Sequence, residues 1–275
     1  MKQRNKNIKV GVLGCGAIGT GIAKNIVSGL RSRYQLTAVY DLDPLKALNL
    51  QKTLRLKNII QSSFENLLKH SDLIIEAVSS EQTIEMIVKA VKLRKDILVM
   101  SVGQLLKNPA VLSLAEKNGT AVLIPSGAIA GIDAIKAATG AGIKSVTLIS
   151  TKPLKAFQNN VYLEKKGVQL AAIKKDTVLF SGNVDAAVKA FPQNINVAAT
   201  LALACGDKSK VKIQLVASPQ AKLNSHQVIV QGDFGTITTR TDNEICPDNP
   251  KTSYLAVLSA IQTLKNYNSV IRIGT

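Results

Sequence analysis

Over the first 125 residues, solid apolar runs alternate with segments of helical spacing. Residues 9–13, 35–41, 72–78, 96–102 and 120–125 are short and almost wholly apolar, as strands buried on both faces must be. A four-residue run at 58–61 reads as a further short strand. Between these runs, residues 20–27, 44–56, 64–69 and about 109–118 read as helices. Ile84, Ile87, Val88 and Val91 fall at i, i+3, i+4 and i+7, one apolar helix stripe. Strand and helix in alternation predict a parallel sheet covered on both faces, doubly wound, with right-handed crossovers.

The pattern changes after Pro125. Residues 126–133 are small and glycine-rich, and an alanine-rich helix follows to about Ala141. Beyond it, residues 146–151, 212–217 and 226–231 alternate as antiparallel strands do, and Gly232-Asp233-Phe234-Gly235 joins the last to 236–240 as a hairpin. Residues 184–191 and 196–204 read as helices. This is the grammar of an α+β domain. A final helix at 250–267 carries Leu255, Leu258, Ile261 and Leu264. The chain therefore divides into a first domain at 1–125, a second at 126–247, and a C-terminal helix at 248–275 expected to pack back on the first.

The first strand runs directly into Gly14-Cys15-Gly16-Ala17-Ile18-Gly19, and a helix follows at once. A lone G-x-G-x-x-G is weak, but strand before and helix after give each glycine a task. Gly14 permits the tight turn, Gly16 lets the backbone approach a pyrophosphate, and Gly19 lets helix and strand pack closely. Free N–H groups and the positive end of the helix dipole then meet the phosphate charge, with Ala17 and Ile18 in the first turn. Asp41 closes the second strand about 20 residues on, where the acid that binds a ribose belongs. These features define a Rossmann-type dinucleotide-binding domain. Asp41 favours NAD by repelling a 2′-phosphate, while Tyr40, Lys46 and a generally positive field leave NADP open.

Composition narrows the class. Apolar residues make up 46% and charged residues 19%, which suits a globular chain. No apolar run reaches the roughly 18 residues of a membrane span. The basic start at 1–7 leads into the first strand, not into a cleavable signal, so a cytoplasmic location is expected. Cys15, Cys205 and Cys246 share no metal-ligand spacing, and neither a disulfide framework nor a metal site is expected. Lys and Arg (35) exceed Asp and Glu (18), for a net charge of +17. The basic residues are dispersed and aromatics supply only 4%, so nucleic acid is not the expected partner. A field of this sign attracts anionic small molecules.

A dinucleotide domain followed by an α+β domain points to hydride transfer at the cleft between them. Of the two histidines, His70 ends a helix beside Ser71 and Asp72 and reads as a solvated or capping residue. His226 opens a strand and is the better proton handler.

Several segments carry a resemblance. Residues 14–19, 124–131, Pro192-Gln193-Asn194-Ile195-Asn196-Val197-Ala198-Ala199, Asn224-Ser225-His226 and Asp248-Asn249-Pro250-Lys251-Thr252-Ser253 resemble the L-aspartate dehydrogenase family, in the right order along nearly the whole chain. The resemblance implies oxidation of L-aspartate to iminoaspartate with NAD, or possible use of NADP. The imine then hydrolyses to oxaloacetate and ammonia or feeds pyridine nucleotide biosynthesis. It also implies a homodimer. His226 would be the active-site residue, either as base for the substrate amine with a pKa near neutrality or as orienter of a carboxylate. Ala130 and Asn196 would contact the cofactor near its nicotinamide half. Ala130 also suits a tight turn, and Asn196 could serve at once as the N-cap of a helix from Val197. The segment 249–253 would cap the last helix, either alone in that role or with its polar groups also facing the cofactor. Homoserine dehydrogenase, dihydrodipicolinate reductase and a non-catalytic NAD(H)-sensing regulator are the alternatives. Two widely separated histidines argue against the reductase, which carries a paired-histidine motif. Asn224-Ser225-His226 is unexplained by the homoserine enzyme, and no basic arm supports the regulator.

Overall fold

The computed structural model describes residues 7–78, 80, 82–192, 195–246, 249–271 and 273–274. The chain forms two compact units, 1–125 with 257–272, and 126–256 with 273–275.

In the first unit, β1 (Ile8–Leu13), α1 (Ala17–Ser28), β2 (Tyr34–Tyr40), α2 (Pro44–Leu54), α3 (Phe64–Lys69) and β3 (Leu73–Glu76) follow one another. Then come α4 (Thr83–Lys92), β4 (Asp96–Val99), α5 (Val102–Lys107), α6 (Ala110–Asn118) and β5 (Val122–Leu123). The five strands are all parallel, in the order β2-β1-β3-β4-β5. This is the doubly wound Rossmann-type sheet, and Val10, Val12, Ile74, Ile75, Ile97 and Leu98 are fully enclosed in it. The strand order reverses on either side of β1, so the crevice for a ligand opens beyond the C-terminal end of that strand.

Three expectations change. The run at 58–61 is not a full strand. It survives as one parallel bridge, Val39 to Ile60, on the outer side of β2. The apolar run 96–102 stops as a strand at Val99, because Val102 to Lys107 coil into α5. In α4 the buried stripe is Thr83, Ile87, Ala90 and Val91, rotated from the one the large aliphatics alone suggest.

The second unit contains α7 (Ile132–Ala138), β6 (Ile143–Pro153), α8 (Val161–Lys165), β7 (Thr177–Asn183), α9 (Val184–Ala190) and α10 (Asn196–Cys205). β8 (Val211–Ser218), β9 (Asn224–Gly232), β10 (Gly235–Asn243), β11 (Ile245–Cys246) and β12 (Asn249–Ser253) complete it. Its main sheet has the order β10-β9-β6-β8-β7. The sheet is mixed, since β6 and β8 pair in parallel where antiparallel pairing was expected. β9 and β10 form the expected hairpin, with Gly235 at φ +107° closing its two-residue turn. β7 was not foreseen. Phe180 of this strand packs edge to face on Tyr162 and Phe191, and Phe157 packs edge to face on Phe191.

The last helix, α11, is shorter than expected, at Tyr254–Tyr267. The backbone of 249–253 forms β12 against β11, and Ser253 directly precedes Tyr254, the first residue of the helix. Within the first unit, the buried face of α11 is Val257, Ala260, Ile261 and Leu264, while Leu258 is exposed. Gly21 of α1 leaves room for Val257, and the Tyr34 hydroxyl donates to the Leu264 carbonyl at 2.6 Å.

Candidate active site

In the first unit, the backbone turns sharply as β1 ends. Gly14 has φ +95°, and its N–H donates to the Tyr40 carbonyl at 2.8 Å. A Cβ on Gly19 would stand 1.9 Å from the Gly14 carbonyl oxygen, so only glycine lets α1 start so close to β1. Nothing lies within 4 Å of where a Cβ on Gly16 would be. Gly16 is also the N-cap of α1, makes no side-chain capping bond, and no acid stands in the first turn formed by Ala17 and Ile18. A phosphate group therefore has both the space and the N–H donors it needs.

Asp41 holds this turn together as well as facing it. Its Oδ2 accepts from the Cys15 N–H at 2.7 Å and its Oδ1 from the Asp43 N–H at 2.9 Å. Each carboxylate oxygen has a second lone pair, enough for a pair of ribose hydroxyls. Burial and the Asp41 charge push the Cys15 thiol up to about 12, which keeps it an inert packing group. The residues thus fit an NAD(P) dinucleotide.

The base of the crevice rests on Glu76, the last residue of β3. It is fully buried, and burial raises its pKa despite the hydrogen bonds it accepts. Those come from the N–H groups of Val78 (2.7 Å), Met100 (3.1 Å) and Ser101 (3.0 Å) and from the Ser101 hydroxyl (2.9 Å). The carboxylate ties the ends of β3 and β4 together. It also fixes residue 77, whose carbonyl oxygen would be 2.5 Å from a Cβ on Gly14. The sequence reading overlooked Glu76, although a lone acid ending an otherwise apolar strand was visible.

In the second unit, one face of the sheet is apolar along most of its length and polar at one end. Val146 and Leu148 of β6 and Val228 and Val230 of β9 are buried on it. Two residues further along each strand, Ser150 and His226 lie opposite one another, with Thr241 of β10 beside His226. Residues opposite each other in an antiparallel pair share a face. Ser150 Oγ and His226 Nδ1 share a hydrogen bond of 2.8 Å. Lys152, again two residues on, completes the group and is only 8% exposed; His226 is 4% exposed. Burial draws Lys152 down to about 8. Burial and the Lys152 charge draw His226 to about 3. The expectation of a near-neutral histidine is therefore corrected: the imidazole carries no proton charge through the physiological range, because desolvation and a neighbouring ammonium both oppose it.

The small loop before α7 is fastened beside this cluster. Ala128 O accepts from the Thr241 hydroxyl (2.8 Å) and Asn243 Nδ2 (3.1 Å), and Ala130 O from the Thr239 hydroxyl (3.2 Å). Gly131, at φ +82°, lets the chain pass against Thr239. β9 and β10 thereby bring Ala130 and His226 into one neighbourhood, with the Ala130 side exposed. Asn196 is exposed in the first turn of α10, which packs on α7, the helix that follows the small loop. It is not the N-cap. Ile195 takes that position and makes no side-chain capping bond. Gln193, Asn194 and Asp248 lie outside the described residues. His70 is the exposed C-cap of α3, as expected of a capping residue, its Nδ1 2.7 Å from the Asn66 carbonyl. Among the described residues no group of His, Cys, Asp and Glu is placed to hold a metal.

A dinucleotide-binding unit and a mixed-sheet unit with a buried basic cluster define a two-domain, nicotinamide-dependent dehydrogenase. The family "Homoserine dehydrogenase, NAD binding domain" matches residues 14–125, and "Aspartate dehydrogenase, C-terminal" matches residues 133–267. The L-aspartate dehydrogenases of Methanococcoides burtonii and Methanosarcina barkeri are 39% and 41% identical over 98% of this chain and 100% of their own. The crystal structure of aspartate dehydrogenase from Thermotoga maritima is 25% identical, with a TM-score of 0.72 over 97% of this chain and 99% of its own. A hyperthermophilic archaeal homoserine dehydrogenase in complex with NADPH shares the fold at 13% identity and a TM-score of 0.60. The chain belongs to the L-aspartate dehydrogenase family.

Proposed function

We propose that this protein oxidises L-aspartate at Cα with NAD+, with NADP+ as a possible substitute, to give iminoaspartate. The imine then hydrolyses to oxaloacetate and ammonia or is drawn into pyridine nucleotide biosynthesis. Relatives of that name about 40% identical over the full length support the substrate. The observation that carries the reading is His226, enclosed and hydrogen-bonded to Ser150 beside Lys152 at the polar end of an apolar face.

A nicotinamide held by this chain would supply the acceptor for the hydride of Cα. The chain supplies the rest. Gly14, Gly16 and Gly19 admit the pyrophosphate to the start of α1, and Asp41 offers its remaining lone pairs to the adenosine ribose. Ala130 and Asn196 line the nicotinamide half in this reading. Hydride departs only when the substrate amine is neutral, so the ammonium must first give up a proton. His226 is uncharged and can receive it, with Ser150 fixing the ring. The carboxylates of the arriving substrate raise the imidazole toward the range where it works as a base.

A homodimer and a cytoplasmic location belong to the same reading. Family resemblance supports the first, and three buried, unpaired cysteines support the second. Among the described residues no helix is long and apolar enough to cross a membrane. The test is absorbance of the reduced nicotinamide with purified protein, NAD+ and L-aspartate, alongside L-homoserine, L-glutamate and L-malate. Reduction with aspartate and none of comparable rate with the controls is expected. Equal or faster reduction with L-homoserine would defeat the assignment.

A further inference from the structure

The two strands of the β9–β10 hairpin differ in their inward side chains. On β9 the inward positions beyond His226 are Val228 and Val230, both buried aliphatics. On β10 they are Ile237, Thr239, Thr241 and Asn243, and the last three all donate to the small loop before α7. Asn243 is the one buried residue of its strand, at 3% exposure. Asparagine is depleted in strands, and a carboxamide is costly to bury without partners. Its Nδ2 lies 3.1 Å from the Ala128 carbonyl oxygen, 3.3 Å from the Asn224 carbonyl oxygen and 3.1 Å from the Thr241 hydroxyl oxygen. Two amide hydrogens thus serve three acceptors. The acceptors belong to two separate segments, the loop that carries Ala130 and the hairpin that carries His226. Asn243 stands opposite Asn224, and Thr241 stands opposite His226. The hairpin therefore holds the histidine on one strand and the loop on the other, and Asn243 ties the two together.

We propose that Asn243 is a positioning residue for hydride transfer, which clamps the 126–131 loop to the hairpin of His226 and so fixes the nicotinamide side of the site relative to the base. The proposal rests on the aspartate dehydrogenase reading, in which Ala130 lines the nicotinamide half and His226 serves the substrate amine. Asn243 touches neither substrate nor cofactor in this account. It acts through the Ala128 and Asn224 carbonyls, each two residues from a group of the site. Hydride transfer is steep in donor–acceptor placement, and a shift of about 1 Å transmitted from outside the chemistry costs on the order of 10²-fold. A satisfied, buried network suits that task because it admits one arrangement only.

The experiment compares wild type with Asn243→Ser, whose side chain is too short to reach the loop, and with Thr241→Val, which keeps shape and loses the hydroxyl. Circular dichroism checks folding, and the valine variant carries the test should the serine variant fail to fold. The first readout needs no cofactor: amide hydrogen exchange of the 126–131 peptide, read by mass spectrometry. It is expected to quicken about ten-fold or more in Asn243→Ser and by less in Thr241→Val, while peptides of β1 and α1 exchange as in wild type. The second readout is kinetic. The kcat for L-aspartate falls about 10- to 10²-fold in Asn243→Ser, and a primary isotope effect from aspartate deuterated at Cα grows on kcat. Aspartate KM and NADH affinity stay within about three-fold of wild type, since the pyrophosphate and ribose contacts lie in the first unit. A folded variant with a lower thermal midpoint but unchanged kcat and isotope effect would overturn the proposal and leave Asn243 a structural residue. So would a loss of kcat with loop exchange as in wild type. A wild-type protein that fails to oxidise aspartate defeats the underlying reading, an outcome separate from the exchange result.

Discussion

Glu76 in the first unit and His226 in the second are both buried, and their surroundings are built on opposite terms. Glu76, in the first, is ringed by three N–H groups and a hydroxyl. Every one of its donors is supplied by the fold, which makes it a strut between strand ends. His226, in the second, has a hydroxyl on one ring nitrogen and an ammonium whose charge opposes its own protonation. The fold there sets the imidazole in a field that holds it uncharged. Buried acids surrounded by donors serve architecture, whereas buried bases set against like charge mark a place where chemistry happens.

The sharpest way to break the comparison is in the glycine loop that Glu76 supports. Gly19→Ala drives a Cβ into the Gly14 carbonyl and is expected to abolish measurable NADH binding and to destabilise the protein by about 1–3 kcal/mol. Gly16→Ala meets open space, so its thermal midpoint stays near wild type while NADH affinity falls about ten-fold. Fluorescence titration and calorimetry of both variants separate packing from phosphate approach.

Glu76→Gln puts an amide donor among donors, with an expected cost of about 1–3 kcal/mol and no direct change in aspartate KM. Urea unfolding read beside steady-state kinetics checks this. The pH dependence sharpens the contrast further. The Glu76 pKa is raised, so its contribution to stability declines as pH climbs from the ordinary carboxylate value toward the folded one. The His226 pKa is lowered, so its contribution is intact above about 6.5 and declines as pH falls toward about 3. Unfolding free energies measured across pH 4–8 in Glu76→Gln and His226→Ala should therefore lose slopes of opposite sign.

The smallest effect is expected at Asp41. Asp41→Ala frees the Cys15 and Asp43 N–H groups and removes the charge that repels a 2′-phosphate. The ratio of NAD+ to NADP+ specificity should move toward NADP+ by about ten-fold, read as kcat/KM for each cofactor.

The parallel sheet was legible in the sequence because its strands are buried on both faces and announce themselves as apolar runs. Where one apolar run hid two states, at 96–102, the boundary was not readable, because strand and helix are equally apolar there. The pairing direction of β6 and β8 depends on which strands become neighbours, which no local pattern specifies. His226 was reached through a motif, but its charge state was not, since it depends on enclosure and on Lys152, 74 positions away in sequence. Lys152 itself left a trace. Ser150 and Lys152 are polar residues at the inward parity of a strand whose other inward residues are aliphatic, a signal hidden among 35 basic residues.

The measurement that bears most directly on the account is aspartate-dependent NADH formation by wild type and His226→Ala at matched NADH affinity. Turnover should fall by about 10²-fold or more in the variant, the scale of losing an acid–base group, with cofactor binding unchanged. Near-normal turnover in His226→Ala would contradict it and move the chemistry away from the polar end of the second sheet.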